Sequence, residues 1–299
     1  MQTDASDGFY VFKTSTDAAA PTGNWLAKIK VGGAVFDKKI KVETVMPNRL
    51  KINLDFGKDA ILGSGSPANG NLTAAWLFGT PGKNLKAKID ASLYSRKTVF
   101  AKFAGFDFDN PTTDYSTQTK TVFDGTLNEA GQATVNPDFE IENEAPGMLT
   151  ANLLVKVFEP GGNFSIDNMS VPYSPYGSYA GIKLPDGEKP FDFLLAGKSH
   201  TVQIVNVDSK GNLLSGKNDV EVQFYKIQWR WWWDNSGDEL SNFTQDNYNK
   251  LIKKETIALT NGKGFYNIKT SDWGRYLILL KDTRSGHVTG STFYVDDYN

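Results

Sequence analysis

The sequence predicts an all-β protein made of antiparallel β-sandwiches in tandem, the first of them partial. Three observations carry this expectation. Apolar and polar residues alternate with period two along most of the chain, the pattern of half-buried strands. Glycine- and proline-bearing turns separate the alternating runs. Two hairpin phrases recur at a spacing that suits whole sandwiches rather than short solenoid repeats.

Taken in order, strands are expected at AKIKVGG, KIKVETV, RLKINLDF, LKAKIDASLY, ANLLVKVF, VEVQFYKI and RYLILLKD. The turns between them are PTGN, GTPGKN, NEAGQ, EPGGN, DSKGN, TNGKG and TRSGH. One segment, TQDNYNKLIKKE over 244–255, carries a helical signal: Thr244 as cap, with Tyr248, Leu251 and Ile252 on one face. The same stretch also reads as an irregular insertion.

The closing phrase is a glycine, a strand, a glycine-bearing turn and a second strand. It begins at Gly23, Gly147 and Gly274, a period of roughly 125 residues. The opening phrase, strand–turn–strand, begins at Leu72 and again at His200. Three closing phrases against two opening ones lead to the expectation that the opening half of the first sandwich lies before residue 1. The expected domains are therefore 1–47, the C-terminal half of a sandwich; 48–185, a full sandwich; and 186–299, another with an insertion around 234–255.

Composition narrows the function classes. The 299 residues are 39% hydrophobic and 13% aromatic, enough for packed cores. Lys and Arg total 32 against 34 Asp and Glu. That balance argues against nucleic acid or an anionic membrane as partner, since both reward a basic excess. With no cysteine, disulfides, thiolate metal sites, cysteine nucleophiles and thioesters are excluded. No run reaches the ~20 apolar residues that span a bilayer, and the first residues lack the basic and apolar regions of a signal peptide.

Several phrases in combination resemble the macroglobulin (MG) domains of bacterial α2-macroglobulin-like proteins. PTGNWLAKIKVGGAVFDKKIKVETVMPNRLKI is similar to the end of one MG domain running into the next, and LTAAWLFGTPGKNLKAKI to the opening of that next domain. SPYGSYAGIKLPDG resembles the following junction. VQFYKIQWRWWWD followed by GRYLILLKDTRSGHVTGSTFYV resembles a further MG domain. The resemblance implies macroglobulin-like sandwiches of fibronectin- or immunoglobulin-like architecture. It also implies a periplasmic or envelope-anchored parent that presents a bait segment, is cut by a protease, rearranges and traps it. Target proteases and neighbouring MG domains are the implied partners, with no nucleic acid and no membrane span in this segment. Many members carry a thioester between a Cys and a Gln; this chain has neither the cysteine nor the motif, so no trapping residue, cofactor or catalytic residue is assigned. The segment is expected to be scaffold from the N-terminal half of a longer protein.

The densest aromatic feature is QWRWWWDN at 228–235. Val220, Val222 and Phe224 share one face of a strand; Ile227, Trp229, Trp231 and Trp233 are in the opposite phase. A bulge near Tyr225 and Lys226 is expected to bring both sets to the core side. Trp232 then faces outward, where Arg230 can stack on it. Core or interdomain packing is the expected role. The alternative is a glycan platform of the 229–233 cluster, with Trp232, Arg230 and Asp234 as the candidate interface or ligand surface.

Other candidates are weighed against plainer roles. Asp107, Asp109 and Asp114 in FDFDNPTTDY have carboxylate density suited to Ca²⁺, but the glycine and glutamate of an EF-hand are missing; an Asp/Asn/Pro turn is expected instead. The two histidines, His200 and His287, lack metal-ligand or triad spacing. His200 is expected to cap a strand and His287 to sit in the turn RSGH. Glu140, Glu142 and Glu144 alternate on what reads as a solvated strand face rather than an acid–base pair. Asn71, Asn168 and Asn242 begin sequons to which no role is given. No GxSxG, HExxH, Walker A or GxGxxG motif occurs.

Overall fold

The computed structural model describes residues 3–6, 9–12, 14–16, 23–42, 48–63, 69–137, 139, 141, 144–227 and 249–297, and every statement below is confined to them. They form two compact units, 1–48 and 49–299. No α-helix occurs among the described residues; the strands are joined by turns and one short 3-10 segment, Ala101–Phe103.

The first unit contains two antiparallel hairpins. β1 (Thr3–Ser6) pairs with β2 (Phe9–Phe12), and β3 (Gly23–Val31) with β4 (Ala34–Val42). In the second hairpin Trp25 lies opposite Ile40 and Ile29 opposite Phe36, so one face is apolar. The other pairs Lys28 with Asp37 and Leu26 with Lys39. Trp25, Phe36 and Ile40 are exposed. This hairpin is the glycine–strand–turn–strand phrase that begins at Gly23.

The second unit holds two complete sandwiches. The first runs β5 (Leu50–Asp55), β6 (Leu62–Gly63), β7 (Gly70–Trp76), β8 (Lys86–Ser95), β9 (Gln118–Thr126), β10 (Gln132–Val135), β11 (Leu149–Phe158) and β12 (Phe164–Ser174). Its layers are β10-β7-β5 and β6-β12-β11-β8-β9. The second runs β13 (Ser178–Lys183), β14 (Leu194–Leu195), β15 (Ser199–Asp208), β16 (Lys217–Ile227), β17 (Asn249–Thr260), β18 (Lys263–Lys269), β19 (Gly274–Asp282) and β20 (Val288–Asp296). Its strands form a continuous ladder β13-β15-β18-β17-β16-β19-β20-β14. β17 and β18 touch only at Thr260 and Lys263, so the ladder folds there into layers of three and five strands.

Counted from its own first strand, each sandwich has the same strand order, 6-3-1 in one layer and 2-8-7-4-5 in the other. The hairpin phrases that recur in the sequence are the seventh and eighth strands, and the strand–turn–strand phrases are the third and fourth. Strict alternation builds the cores. In β11 and β8 the alternate residues Leu149, Ala151, Leu153, Val155, Val157, Ala87, Ile89, Ala91 and Leu93 are buried. Each large aliphatic side chain so buried contributes about 1.5–3 kcal/mol. The second core stacks Phe224, Tyr276 and Phe293 across three adjacent strands, with centroids 5.3 Å apart for Phe224 and Tyr276 and 5.8 Å for Tyr276 and Phe293.

Three local expectations are corrected. First, a register shift does occur beside Tyr225, but the extra residue is Ile252 on β17, since Phe224 faces Lys253 and Tyr225 faces Leu251. The register of β16 with β19 runs unbroken from Val220–Asp282 to Ile227–Arg275. Alternation therefore continues, and Ile227 lies on the face opposite Val220, Val222 and Phe224, buried with Leu277 and Leu279. The first sandwich also has a bulge on its fifth strand, nearer the strand's C-terminal end, with Val122 extra between Ile89–Phe123 and Asp90–Thr121. Second, the helical signal over 244–255 gives way to strand from Asn249 onward. Pairing along all of β16 outweighs a weak 3.6-residue periodicity; the residues before 249 lie outside the described set. Third, Phe139 and Ile141 are in no strand, though both pack against the first core. The strand Ser178–Lys183, which precedes the expected junction at 185, hydrogen-bonds to Ser199–Asp208 in the second sandwich.

Candidate functional site

The densest set of buried polar and aromatic contacts lies where the two complete sandwiches meet. The 96–117 segment, between β8 and β9, leaves the first sandwich and lies against the second. It carries Phe100, Phe103, Phe106 and Phe108. With Met148, Ile61 and Tyr176 of the first sandwich, these rings enclose Tyr179, Val205 and Val207 of the second in one apolar cluster. Phe100 meets Phe108 edge-on with centroids 4.8 Å apart, and Tyr179 at 5.7 Å, geometries that suit ring quadrupoles. Gly181 is required here: a Cβ would come within 2.3 Å of the Phe108 ring.

Hydrogen bonds fix the register of the joint. Asp107 bridges to the edge strand β13: its N–H donates to the Ile182 carbonyl (2.7 Å) and its carbonyl accepts from Ile182 N–H (2.9 Å). Ser291 Oγ donates to the Asp107 carboxylate at 3.1 Å, Thr289 Oγ1 to the Asp107 carbonyl at 3.1 Å, and Gly290 N–H to the Asp109 carbonyl at 3.2 Å. The Asp109 carboxylate turns back to accept from Thr98 N–H. Burial raises the Asp109 pKa from its ordinary value against those Thr98 bonds.

His287 is the centre of the joint and is fully buried. Its Nε2–H donates to the Phe108 carbonyl at 2.9 Å, and its Nδ1 accepts from Ala180 N–H at 3.1 Å. These two partners require the neutral ring with its proton on Nε2. Burial pushes its pKa down to about 4, outweighing the Phe108 bond and the nearby Asp282 carboxylate, both of which favour the charged ring. Asp282, also fully buried, accepts from Ser178 Oγ, from Ser285 Oγ (2.9 Å) and from Arg284 N–H (3.0 Å). Tyr179 and Tyr176 flank the imidazole with centroids 4.7 and 5.0 Å away. The arrangement is a dry, hydrogen-bonded joint. Its groups bond chiefly to one another, and Tyr176, Ser178, Arg284 and Ser285 also line a partly open pocket beside it.

Of the residues singled out from sequence, Asp107 and Asp109 come together here as joint residues, not as ligands converging on a cation. Asn110 closes the turn by accepting from Thr112 N–H (3.0 Å) and Thr112 Oγ1 (2.7 Å). Among the described residues no group of three or more His, Asp or Glu is placed to hold a metal ion. His200 opens β15, with Nε2 2.8 Å from the Leu195 carbonyl. His287, read from sequence as a turn residue, is the central residue that reading missed; a lone histidine in RSGH carries no signal of burial. Glu144 is exposed; Glu140 and Glu142 lie outside the described residues. So do Trp229, Arg230, Trp231, Trp232, Trp233 and Asp234, the candidate ligand surface.

The fold and joint define tandem macroglobulin β-sandwiches. Residues 48–175 match the bacterial alpha-2-macroglobulin MG5 domain, and residues 181–298 match bacterial macroglobulin domain 6. The chain belongs to the bacterial alpha-2-macroglobulin family as a segment of macroglobulin domains. Among solved structures it is similar to trypsin-activated alpha-2-macroglobulin from Escherichia coli, with 18% identity over 99% of this chain and 20% of that one, TM-score 0.54. It is similar to the native conformation of the E. coli protein at 18% identity over 98% and 19%, TM-score 0.54. Salmonella alpha-2-macroglobulin reacted with methylamine gives 18% over 98% and 20%, TM-score 0.51. Likeness at this identity concerns the fold, and the chain spans about a fifth of the length of those proteins. No curated protein matches the chain in sequence. No helix among the described residues is long and apolar enough to cross a membrane.

Proposed function

We propose that this chain is a scaffold segment of a bacterial alpha-2-macroglobulin-like endopeptidase inhibitor that traps proteases after a bait segment is cut. The observation that supports this reading is the match of two consecutive macroglobulin domains to two sandwiches of one topology, locked by a buried joint. In this reading the segment is not an enzyme. It holds neighbouring domains in a fixed relation and passes on the rearrangement that follows cleavage, in the periplasm or cell envelope. In this reading the chain divides into 1–47, 48–185 and 186–299, the last with an insertion around 234–255. Trapping is a steric state, which makes it testable. The longer native protein, mixed with trypsin, is expected to change mobility on a native gel. Trypsin is then expected to lose activity on a large protein substrate while keeping it on a small peptide. Full activity on both substrates ends this reading, as does peptide or ester hydrolysis by the 299-residue chain itself.

The tryptophan-rich stretch supports a second proposal, motivated by four tryptophans in QWRWWWDN. Trp232, Arg230 and Asp234 form the candidate interface or glycan surface. Titration of the chain with envelope polysaccharides, followed by Trp fluorescence, is expected to give a saturable shift lost in Trp232→Ala. A flat titration leaves packing as the role of the cluster.

A further inference from the structure

The turn after the third strand is built alike in the two complete sandwiches. In the first, Trp76 N–H donates to Thr80 O (2.8 Å), Gly79 N–H to Trp76 O (2.8 Å) and Gly82 N–H to Ala74 O (2.8 Å). In the second, Asp208 N–H donates to Asn212 O (2.8 Å), Gly211 N–H to Asp208 O (3.0 Å) and Leu214 N–H to Asn206 O (3.0 Å). The glycines at the matching position both have positive φ, 97° at Gly79 and 75° at Gly211. The residues carried on this common frame differ in kind. The second turn is polar, with the Asp208 carboxylate accepting from Lys210 and Asn212 N–H. The first carries Trp76, Leu77 and Phe78 at the corresponding places. Leu77 is 70% exposed and Phe78 is 78% exposed. Phe78 stacks on Trp76 at 6.0 Å, and the Arg49 guanidinium lies 5.5 Å from the Trp76 ring centroid.

The second turn has a partner. Phe100 of the 96–117 segment packs so closely on Gly211 that a Cβ there would meet its ring at 2.8 Å. Lys102 Nζ donates to Asn212 Oδ1 at 2.8 Å. Turn geometry accepts polar residues, as the second copy shows, so backbone conformation does not demand that Leu77 and Phe78 stand in water beside the half-buried Trp76. A compact exposed apolar patch of this kind marks an interaction surface.

We propose that the Trp76–Leu77–Phe78 turn is a docking surface for the aromatic loop between the fourth and fifth strands of a further macroglobulin sandwich. That loop would sit on it as the 96–117 loop sits on Gly211 and Asn212. The proposal rests on the reading of this chain as scaffold of a longer protein, and it specifies which surface another domain uses. The chain has no cysteine, so Phe78→Cys gives it a single thiol at an exposed position. Maleimide labelling of that site is followed by peptide mass spectrometry in the 299-residue chain and in the longer native protein, with Lys120→Cys on exposed β9 as the control. The expected result is labelling of Cys at 78 slowed about tenfold or more in the longer protein, with the control unchanged. Equal rates at 78 overturn the proposal. So does slowing in the 299-residue chain that grows with its own concentration, which assigns the patch to a second copy. A longer protein that shields trypsin from large substrates yet labels freely at 78 loses this docking surface and keeps the scaffold function.

Discussion

At the scale of single residues the joint depends on one uncharged imidazole. His287 satisfies a buried carbonyl and a buried N–H that belong to different sandwiches, Phe108 and Ala180. Truncation to alanine leaves both backbone groups without that partner and opens a void. His287→Ala is expected to cost about 2–5 kcal/mol, read from denaturant unfolding at pH 7. The pH dependence follows from the direction of the shift. The folded-state pKa is about 4, below the ordinary 6.5, so between those values the unfolded chain binds the proton more readily. The contribution of His287 is therefore complete above pH 6.5 and lost as pH falls toward 4, an effect of about 3 kcal/mol. Asp109 acts in the opposite sense. Its pKa is raised by burial, so the folded state takes up that proton first and gains from it as pH falls. A His287→Gln variant is expected to show a flatter stability profile between pH 6.5 and 4 than the parent. Parallel profiles would remove His287 from the account.

At the scale of elements, the repeated topology fixes repeated special positions. Gly131 and Gly262 occupy matching hairpin turns, with φ of 72° and 69°. Each carbonyl accepts from the third strand of its sandwich, Gly131 from Ala74 and Gly262 from Asn206, both at 2.9 Å. A Cβ at Gly131 would meet the Ala74 carbonyl oxygen at 2.5 Å, and one at Gly262 the Asn206 carbonyl oxygen at 2.6 Å. Both obstacles are backbone and have no rotamer to escape into. Gly131→Ala and Gly262→Ala are each expected to lose about 1–3 kcal/mol or more, seen as lowered melting temperatures. Exposed turn glycines with open surroundings, such as Gly162, carry the φ term alone. The bulges at Val122 and Ile252 show the limit of strand-by-strand reading. The apolar pattern of the sequence shifts phase near Tyr225, yet β16 keeps its alternation and the extra residue lies on β17.

At the scale of the whole second unit, the joint makes the two sandwiches cooperative. Phe108 is buried between Phe100, Phe103, Phe106 and Gly181. Phe108→Ala is expected to cost about 3–5 kcal/mol. Because the lost contacts couple two cores, calorimetry of the variant is expected to resolve two transitions where the parent gives one. A single transition shifted down in temperature would mean that the remaining hydrogen bonds of the joint, the Asp107–Ile182 bridge among them, keep the sandwiches coupled. By contrast, the exposed Lys102–Asn212 bond is expected to contribute little, since water competes for both groups.

The sequence by itself determined the all-β class, the alternating cores, most turns and the threefold closing hairpin. Those features depend on neighbours a few residues apart: period-two alternation selects a buried face, and glycine marks turns that need its backbone freedom. It offered FDFDNPTTDY as an Asp/Asn/Pro turn and said nothing of what its rings do. Tertiary structure decided that these rings leave their own sandwich, that Ser178–Lys183 pairs forward, and that Ile227 faces away from Phe224. It alone brought His287 to the Phe108 carbonyl across 179 residues. The reason is physical: whether a polar residue is satisfied in a buried joint depends on which distant backbone groups the fold delivers to it, and local periodicity holds no record of that delivery.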